Sequence, residues 1–478
     1  MLFTPLNPPL FPGKYRLSTA KRVTSTPHSP TIRHIHNFHY SEYIPFNKEG
    51  EDINKKYLLT GIVVTVLLLA FSVSYFLMRD GDVYKYHTGL GSRLALSADD
   101  QRLAFSYYKN GREAIYSADM DTMKSEQITF PKEGRHSHPA YSRDGRKILY
   151  VSENKERIQS LIVANNNGSA PKKLSGDDLH VADALFSADG QKVFFAGIEG
   201  EEFLKAEGET QEGLDLYSVG IDGQGLEQLT DSDHFTMESL SLSKDGTEIY
   251  FKDFTDVYVY NIEEGRKRGS ELTSQMPSEP FHLTFSPDGD KAAYTAVSPE
   301  SKNSSLFEYE LYVRNLENGE STRLTDLKSS VVSPVFYHNE DKIIFLHDRN
   351  WPGSPEEYRV HTVGLDDGDV EELSLVLPKV KSSNSPVKFL DAAVNSWTIG
   401  GLYTLLLVLA ILYFRPKKTF RPVLASLAFG ILGFIASFVV ASTGDPWGGI
   451  AVGFISAYIL GCTAIAFLFA LAVKMLVK

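Results

Sequence analysis

Six polar or charged residues occupy equivalent places in six similar stretches of the sequence, each four residues before a recurring serine or its counterpart. They are Arg93, His138, Asp183, Ser239, His282 and Ser333. Two imidazoles and a carboxylate that meet in one place can hold a metal ion or polarise a ligand. Because the six residues belong to separate stretches, they form a site only if the fold gathers those stretches.

The ligand-contacting residues that we predict are Arg93, His136, His138, Asp183 and His282. His136 is included because it lies two residues before His138. Three alternatives stay open at this point: polar residues that only satisfy strand ends, a metal site, and a site for a small ligand or a peptide end. The prediction contains no bound metal and no cofactor.

A second candidate site is the acidic segment 198–212, which holds six glutamates and one lysine. Its candidate partner-binding residues are Glu199, Glu201, Glu202, Glu207 and Glu209. Such a segment can capture a basic partner or a divalent cation, and the alternative is an ordinary solvated loop.

The six stretches share one pattern, an apolar run followed by a polar turn and an alternating apolar run. They span 94–105, 139–150, 184–195, 241–251, 283–294 and a degenerate 335–345. The turn usually ends in Asp-Gly, which suits the positive φ angles of a tight hairpin, and the alternation has the period of a half-buried strand. A third strand follows each pair, and a fourth often ends in Leu-Thr, as at Leu229–Thr230. Six units of four antiparallel strands predict an all-β, six-bladed propeller over residues 84–378.

The Ser-x-Asp-Gly-x-Lys pattern, seen in full at Ser187–Lys192, together with the terminal Leu-Thr resembles the TolB-like, WD-repeat-like propeller family. The resemblance covers about residues 90–375 and implies the propeller fold. It implies no particular activity, because propellers serve both binding and catalysis.

Strand order divides such a propeller into two faces. The turn face carries the Asp-Gly hairpins. The insertion face carries the long second-to-third-strand insertions 197–213, 298–308 and 348–357, and the chain enters and leaves there. Because elaborated loops more often carry function, we expect the site on the insertion face and place the six equivalent residues near the channel mouth there.

Four apolar runs predict transmembrane helices at 57–78, 396–414, 422–442 and 447–473. The first lies too far from the start for a cleaved leader and is read as an uncleaved signal anchor. The connection 415–421 has four positive charges and the connection 443–446 has none, so the positive-inside rule places 415–421 in the cytoplasm. Both termini are then cytoplasmic, residues 1–56 form a disordered cytoplasmic tail, and the propeller is extracytoplasmic.

No ionisable residue lies deep in these spans, which argues against ion-coupled transport. The last span carries small residues at intervals of four, Gly449, Gly453, Ala457 and Gly461. Such a stripe lets another helix approach closely. That helix is either one of the other spans or a separate partner, and the oligomeric state stays open.

Composition excludes several classes of function. The chain has 48 Lys+Arg against 60 Asp+Glu, and both ends are basic, so the middle is strongly acidic and unsuited to nucleic acid. The single cysteine, Cys462, rules out a disulfide framework and a Cys-rich zinc site. The Gly-x-Ser-x-Gly, P-loop, His-Glu-x-x-His and Rossmann motifs are absent from the sequence.

These observations favour an integral protein of a bacterial inner membrane. Its extracytoplasmic propeller would be a non-catalytic binding, scaffold or sensor module for a protein, peptide or envelope glycan. Two alternatives remain, a channel-centred hydrolase or lyase acting on envelope polymers and a transmembrane signalling protein. The first requires His138, Asp183 and His282 to lie within reach of one substrate.

Overall fold

The computed structural model describes most of the chain beyond the N-terminal tail. The described residues are 48–206, 209–272, 276, 280–379, 386–415 and 419–476. The tail predicted to be disordered therefore lies outside them, except for residues 48–56. One compact unit is Leu67–Tyr403, and the other combines the described part of Met1–Val66 with Thr404–Lys478.

Six helices occur in the described part of the chain. They are α1 (Lys48–Met78), α2 (Gly200–Phe203), α3 (Pro386–Ala393), α4 (Ser396–Phe414), α5 (Arg421–Ser442) and α6 (Pro446–Leu476). Four of them, α1, α4, α5 and α6, are long and apolar enough to cross a membrane. Helix α1 begins at Lys48, nine residues before the predicted span. The helix can begin this early because the last proline before it is Pro45, and proline inside a helix would interrupt its hydrogen bonds.

The β-rich unit is built from groups of four consecutive strands. The first strands of the groups are β1 (Gly89–Leu96), β5 (Arg135–Tyr141), β9 (Leu179–Phe186), β13 (Glu238–Leu242), β17 (Phe281–Phe285) and β21 (Ser330–Phe336). The second strands are β2 (Arg102–Lys109), β6 (Lys147–Glu153), β10 (Lys192–Glu199), β14 (Glu248–Asp253), β18 (Lys291–Val297) and β22 (Lys342–Asp348).

The third and fourth strands complete each group. The third strands are β3 (Arg112–Asp119), β7 (Gln159–Asn165), β11 (Asp215–Gly220), β15 (Asp256–Asn261), β19 (Tyr309–Asn315) and β23 (Tyr358–Gly364). The short fourth strands are β4 (Ser125–Gln127), β8 (Lys172–Lys173), β12 (Glu227–Gln228), β16 (Arg266–Gly269), β20 (Ser321–Arg323) and β24 (Val370–Leu373).

Each group pairs its strands antiparallel in chain order. Four groups are separate four-stranded sheets, whereas the last two share an eight-stranded sheet. One parallel pair, Tyr309 with Ser330, joins those two. The predicted β-rich chain with four-stranded units and apolar helices is therefore confirmed, and the sharing of one sheet by two units was not foreseen.

The recurring serine and aspartate of the hairpin motif bond to each other. In the third group, Ser187 Oγ donates to Asp189 Oδ1 at 2.6 Å and accepts from the backbone N–H of Lys192 at 2.9 Å. Gly190 in the same turn has a φ of 68°. In the five hairpins that have the serine, the motif therefore closes the turn with side-chain bonds, as Asx and Ser turns do elsewhere.

The terminal Leu-Thr of a unit fastens the fourth strand to the third. Thr230 Oγ1 accepts from the backbone N–H of Leu216 at 2.9 Å and donates to Asp215 Oδ1 at 2.7 Å. Thr129 and Thr325 accept equivalent bonds from third-strand amides. These buried hydroxyls satisfy backbone donors that the short fourth strands leave without a ladder partner.

Apolar clusters fill the spaces between neighbouring groups, and one of them joins the first group to the last. In that cluster Leu103 and Phe105 of β2 are fully buried together with Ile344 and Leu346 of β22. Fully burying each such side chain contributes roughly 1.5–3 kcal/mol. The array of strands is thus closed on itself by hydrophobic contact.

Asp100 adds a polar contact at the same closure. The first hairpin reads Asp-Asp where the second to fifth copies read Asp-Gly, and Asp100 has a φ of 57°. Its buried carboxylate accepts from the backbone N–H groups of His338 at 2.9 Å and Asn339 at 2.8 Å. The two degenerate hairpins, the first and the last, therefore complement each other.

The segment that precedes the first strand is bound to both the sheets and α3. Arg135 pairs with Asp82, and the Tyr84 hydroxyl donates to Glu356. On α3, Asp391 accepts from Tyr86 at 2.6 Å and pairs with Lys85 at 3.1 Å. The pKa of Asp391 falls to about 2, with the hydrogen bond from Tyr86 as the largest cause.

Helices α5 and α6 form a close pair in the other unit. A Cβ placed on Gly449 would lie 2.5 Å from the Cβ of Ala441, and one on Gly453 would lie 3.5 Å from Ser437 Oγ. Gly461 has no described atom within 4 Å of such a Cβ, and Ala457 is exposed. The small-residue stripe thus packs on α5 in its first half only.

We predict that Asp100→Gly lowers the free energy of unfolding by about 2–3 kcal/mol, because the amides of His338 and Asn339 lose a charged acceptor. Glycine keeps the positive φ, so the loss reports the carboxylate and not the turn. Urea unfolding of the full chain in detergent, followed by circular dichroism, measures it. Lys328→Gly is the control, since Lys328 is exposed with a φ of 54°. Equal stability of wild type and Asp100→Gly would contradict the closure.

Candidate functional site

A cavity of about 640 Å³ lies where the first strands of all six groups meet. Its lining starts at the six equivalent residues and runs along the strands to the hairpins, where it includes Ala98, Arg143, Ala188 and Lys244. The six residues therefore do come together. They stand at the inner end of a cavity that extends toward the turn face, whereas we expected them at a mouth on the insertion face.

A β-bulge gives these six residues their position. In every first strand the pairing register shifts in or beside the residue concerned. His138, Ser239, His282 and Ser333 have φ values of 53°, 60°, 52° and 52°. A bulge bends the strand and re-aims a side chain, and positive φ is uncommon outside glycine. We call Arg93, His138, Asp183, Ser239, His282 and Ser333 the bulge ring.

Two members of the bulge ring form hydrogen bonds between strand groups. One bond joins the sixth group to the first, and the other joins the third group to the fourth. Ser333 Oγ accepts from the backbone N–H of Leu94 at 2.8 Å. Asp183 Oδ2 accepts from the N–H of Leu240 at 3.1 Å, and its Oδ1 accepts from the N–H of Ala184 at 3.0 Å. Asp183 and Ser333 therefore bond to backbone amides within the first strands of other groups.

Arg93 has no ion pair or side-chain hydrogen bond with any described residue, although it stands half-buried at the inner end of the cavity. Arg143 and Lys244, at the hairpin end, likewise have no ion pair within the described ranges. Asp183 is the single carboxylate in the cavity lining. In a strongly acidic domain, the wall of this cavity is cationic.

The imidazole side chains of the two histidines in the bulge ring, His138 and His282, are uncharged. Burial lowers the pKa of both His138 and His282 to about 3, and the nearby charge of Arg93 contributes in each case. Ser137 Oγ lies 2.9 Å from His138 Nδ1. At neutral pH both imidazoles are therefore neutral rings that offer one donor and one acceptor nitrogen each.

His136 does not line the cavity. It packs against Tyr150 with 4.9 Å between ring centroids, and its Nδ1 is buried without a hydrogen-bond partner in the described structure. Burial lowers its pKa to about 4. His136 precedes the bulge on β5, and its side chain lies against the second strand, β6. It therefore does not lie with the other predicted ligand-contacting residues.

The acidic insertion is partly folded onto the sheets. Phe203 of α2 stacks on His180 at 3.5 Å between centroids. Glu202 is buried, pairs with Lys205 and accepts from the N–H of Gln211 at 3.0 Å, so it is engaged within the insertion. Glu199, Glu201 and Glu209 are exposed, and Glu207 lies outside the described residues.

Within the described ranges, no group of three or more His, Cys, Asp or Glu side chains is arranged to hold a metal ion. This holds for the bulge ring as well as for the acidic insertion.

Sequence reasoning missed Arg143 and Lys244. Each directly follows the recurring serine, at the x of Ser-x-Asp-Gly, and so lies at the hairpin end of a first strand. A comparison of that position across the six copies would have found them, once the hairpins were known to border the cavity.

No family model matches the chain. One curated relative, an uncharacterized peptidase YuxL of Bacillus subtilis, is 23% identical over 173 residues, which are 36% of this chain and 23% of that protein. The matched stretch is thus under a quarter of the relative.

Solved structures similar to this chain include two TolB proteins. TolB of Acinetobacter baumannii has 17% identity and a TM-score of 0.45, over 60% of this chain and 66% of that one. A putative TolB of Agrobacterium tumefaciens has 18% identity and a TM-score of 0.41, over 54% and 86%. Oligogalacturonate lyase of Vibrio parahaemolyticus has 15% identity and a TM-score of 0.40, over 55% and 87%. These likenesses leave the ligand of the present chain open.

We predict that Arg93→Gln raises the pKa of His138 and His282, because the removed charge disfavours the imidazolium form of both rings. Histidine-selective NMR of the full chain, titrated to the lowest pH at which it stays folded, measures this. The wild-type rings should keep neutral-imidazole signals, whereas those of the variant should begin to titrate at higher pH. Arg146→Gln, an exposed hairpin arginine outside the cavity, should titrate like wild type. Identical titrations of Arg93→Gln and wild type would contradict the arrangement.

Proposed function

We propose that this chain is a membrane-anchored binding module that takes its ligand into the central cavity through the turn face. The observation that carries the proposal is the cavity itself, to which every strand group contributes its first strand. A concave space of about 640 Å³ is within the size range of small-molecule sites and also fits the end of a chain. The ligand class is a protein, peptide or envelope glycan.

In this proposal residues 84–378 form a six-bladed propeller outside the cytoplasm. The four apolar helices anchor it in a bacterial inner membrane, with both termini in the cytoplasm. The support is the charge of the connections, since 415–421 holds four positive charges and 443–446 none. The contacts of Asp391 with Tyr86 and Lys85 hold the segment before the first strand against α3.

A catalytic role receives less support from the same geometry. His138, Asp183 and His282 share one cavity, as a hydrolase or lyase would require. However, both oxygens of Asp183 accept backbone N–H bonds, which gives the carboxylate a structural role. Binding without catalysis is therefore the function that we propose.

Blocking the turn face should abolish ligand capture. In a Cys462→Ala background, Ala98→Cys places a thiol at the hairpin end of the cavity and Lys302→Cys places one on the insertion face. A bulky maleimide on Ala98→Cys should remove any partner that the full chain captures from native membranes. The same label on Lys302→Cys should leave capture unchanged.

Two further outcomes would count against the proposal. Loss of capture only with the Lys302→Cys label, or only on deletion of 198–212, would move the site to the insertion face. Equal capture by all labelled and deleted variants would show that the cavity takes no part in binding.

The proposed orientation has its own test with the same two variants. A membrane-impermeant maleimide added to intact spheroplasts should label both Ala98→Cys and Lys302→Cys. A cysteine placed in the 415–421 connection, for example Arg415→Cys at an exposed position, should react only after the membrane is opened. Labelling in the reverse sense would overturn the orientation while leaving the cavity proposal intact.

A further inference from the structure

We infer that the ligand of this cavity carries an anionic end group, a carboxylate or a phosphate, that binds beside Arg93 in the bulge ring. The inference rests on the proposed function and adds the chemistry of the ligand to it. It stands on the placement of charged side chains within the cavity.

The first support is the unpaired state of Arg93. The other half-buried arginines described in the same unit all have partners. Arg135 pairs with Asp82 and Arg323 with Glu300 and Asp326, whereas Arg79 donates to backbone carbonyls and Arg314 donates to Ser321 Oγ. Arg93 has none among the described residues, although the unit is rich in acidic side chains. A charge withdrawn from water is costly unless it is paired, so a partner from outside the chain would complete this site.

The second support is the distribution of charge along the cavity. Arg143 and Lys244 border the hairpin end, and Arg93 stands at the inner end. The single carboxylate of the lining, Asp183, is already engaged by two backbone N–H groups. A cleft lined by one sign of charge concentrates ligands of the opposite sign, so an anion is drawn in past Arg143 and Lys244 toward Arg93.

The third support is the chemistry available beside Arg93. The guanidinium group offers a planar fork of donors that matches a carboxylate or a phosphate. His138 and His282 line the same cavity as Arg93, and its charge helps to lower the pKa of both rings. Each neutral ring has one N–H to donate, so the three side chains together can supply several hydrogen bonds to one anionic group.

The test uses the anionic groups themselves as probes. Sodium acetate and sodium phosphate are titrated separately into the full chain in a neutral detergent at constant ionic strength, with glycerol as the uncharged probe. Histidine-selective NMR follows the signals of His138 and His282. We expect saturable shifts with acetate, phosphate or both, and none with glycerol. The probe that saturates at the lower concentration identifies the carboxylate or the phosphate as the preferred group.

The variants assign the binding to Arg93. Arg93→Gln should weaken binding at least tenfold, and Arg93→Lys, which keeps the charge without the fork, should lie between it and wild type. Arg146→Gln should bind like wild type. Urea unfolding of each variant shows that it is folded, and Arg93→Lys serves if Arg93→Gln is not. Shifts that never saturate, or that are the same in every Arg93 variant, would overturn the inference.

This result and that of the capture experiment separate the two proposals. If neither anion binds while the label on Ala98→Cys still abolishes capture, the anionic end group is wrong and the binding module stands. If the label has no effect on capture but the anions bind at Arg93, the cavity is an anion site and the turn-face capture proposal is wrong.

Discussion

Ring closure is the constraint on which this architecture depends. A four-stranded group cannot bury its own faces, so each must be covered by its neighbours, and the first group must meet the last. In the described structure every group pairs its own four strands in order, and the backbones of the two ends meet in one short parallel bridge between Lys124, beside β4, and Val376, after β24. Closure depends on this bridge, on the apolar cluster shared by β2 and β22, on the Asp100 carboxylate and on the Ser333 hydroxyl. The central cavity exists only because these contacts bring the six first strands together.

Much of the fold was predictable because its signals are local. The Ser-x-Asp-Gly hairpins and the Leu-Thr endings each act within one unit, as the bonds of Ser187 and Thr230 show. The side of the bulge ring on which the cavity lies was not predictable, because it depends on register shifts in six separated strands. For the same reason His136 was wrongly grouped with His138: two residues along a bulged strand no longer share a face. Arg143 and Lys244 were overlooked because a hairpin residue is ordinarily exposed and inert.

The binding proposal and the fold meet in the bulge ring. Five of its six members divide into two kinds. Asp183 and Ser333 bond to backbone amides and hold strand groups together. Arg93 and the two neutral histidines are left to face the cavity. A strand interruption that looks like a defect therefore supplies both the rigid frame and the free polar groups of the candidate site. The domain has an excess of acidic residues, whereas the cavity lining has more basic than acidic side chains.

The pairing of the first hairpin with the last also bears on how such an array can change in evolution. Asp100 replaces the usual glycine, and His338 and Asn339 belong to the last copy, which lacks the recurring serine as well as the Asp-Gly. The two terminal copies have thus become unlike the others and suited to each other. A duplication that added a unit in the interior would keep this seam, whereas one at either end would place an ordinary copy against a specialised one. The number of strand groups in the closed array can therefore change most easily by adding or losing an interior group, because the first and last groups must remain a matched pair.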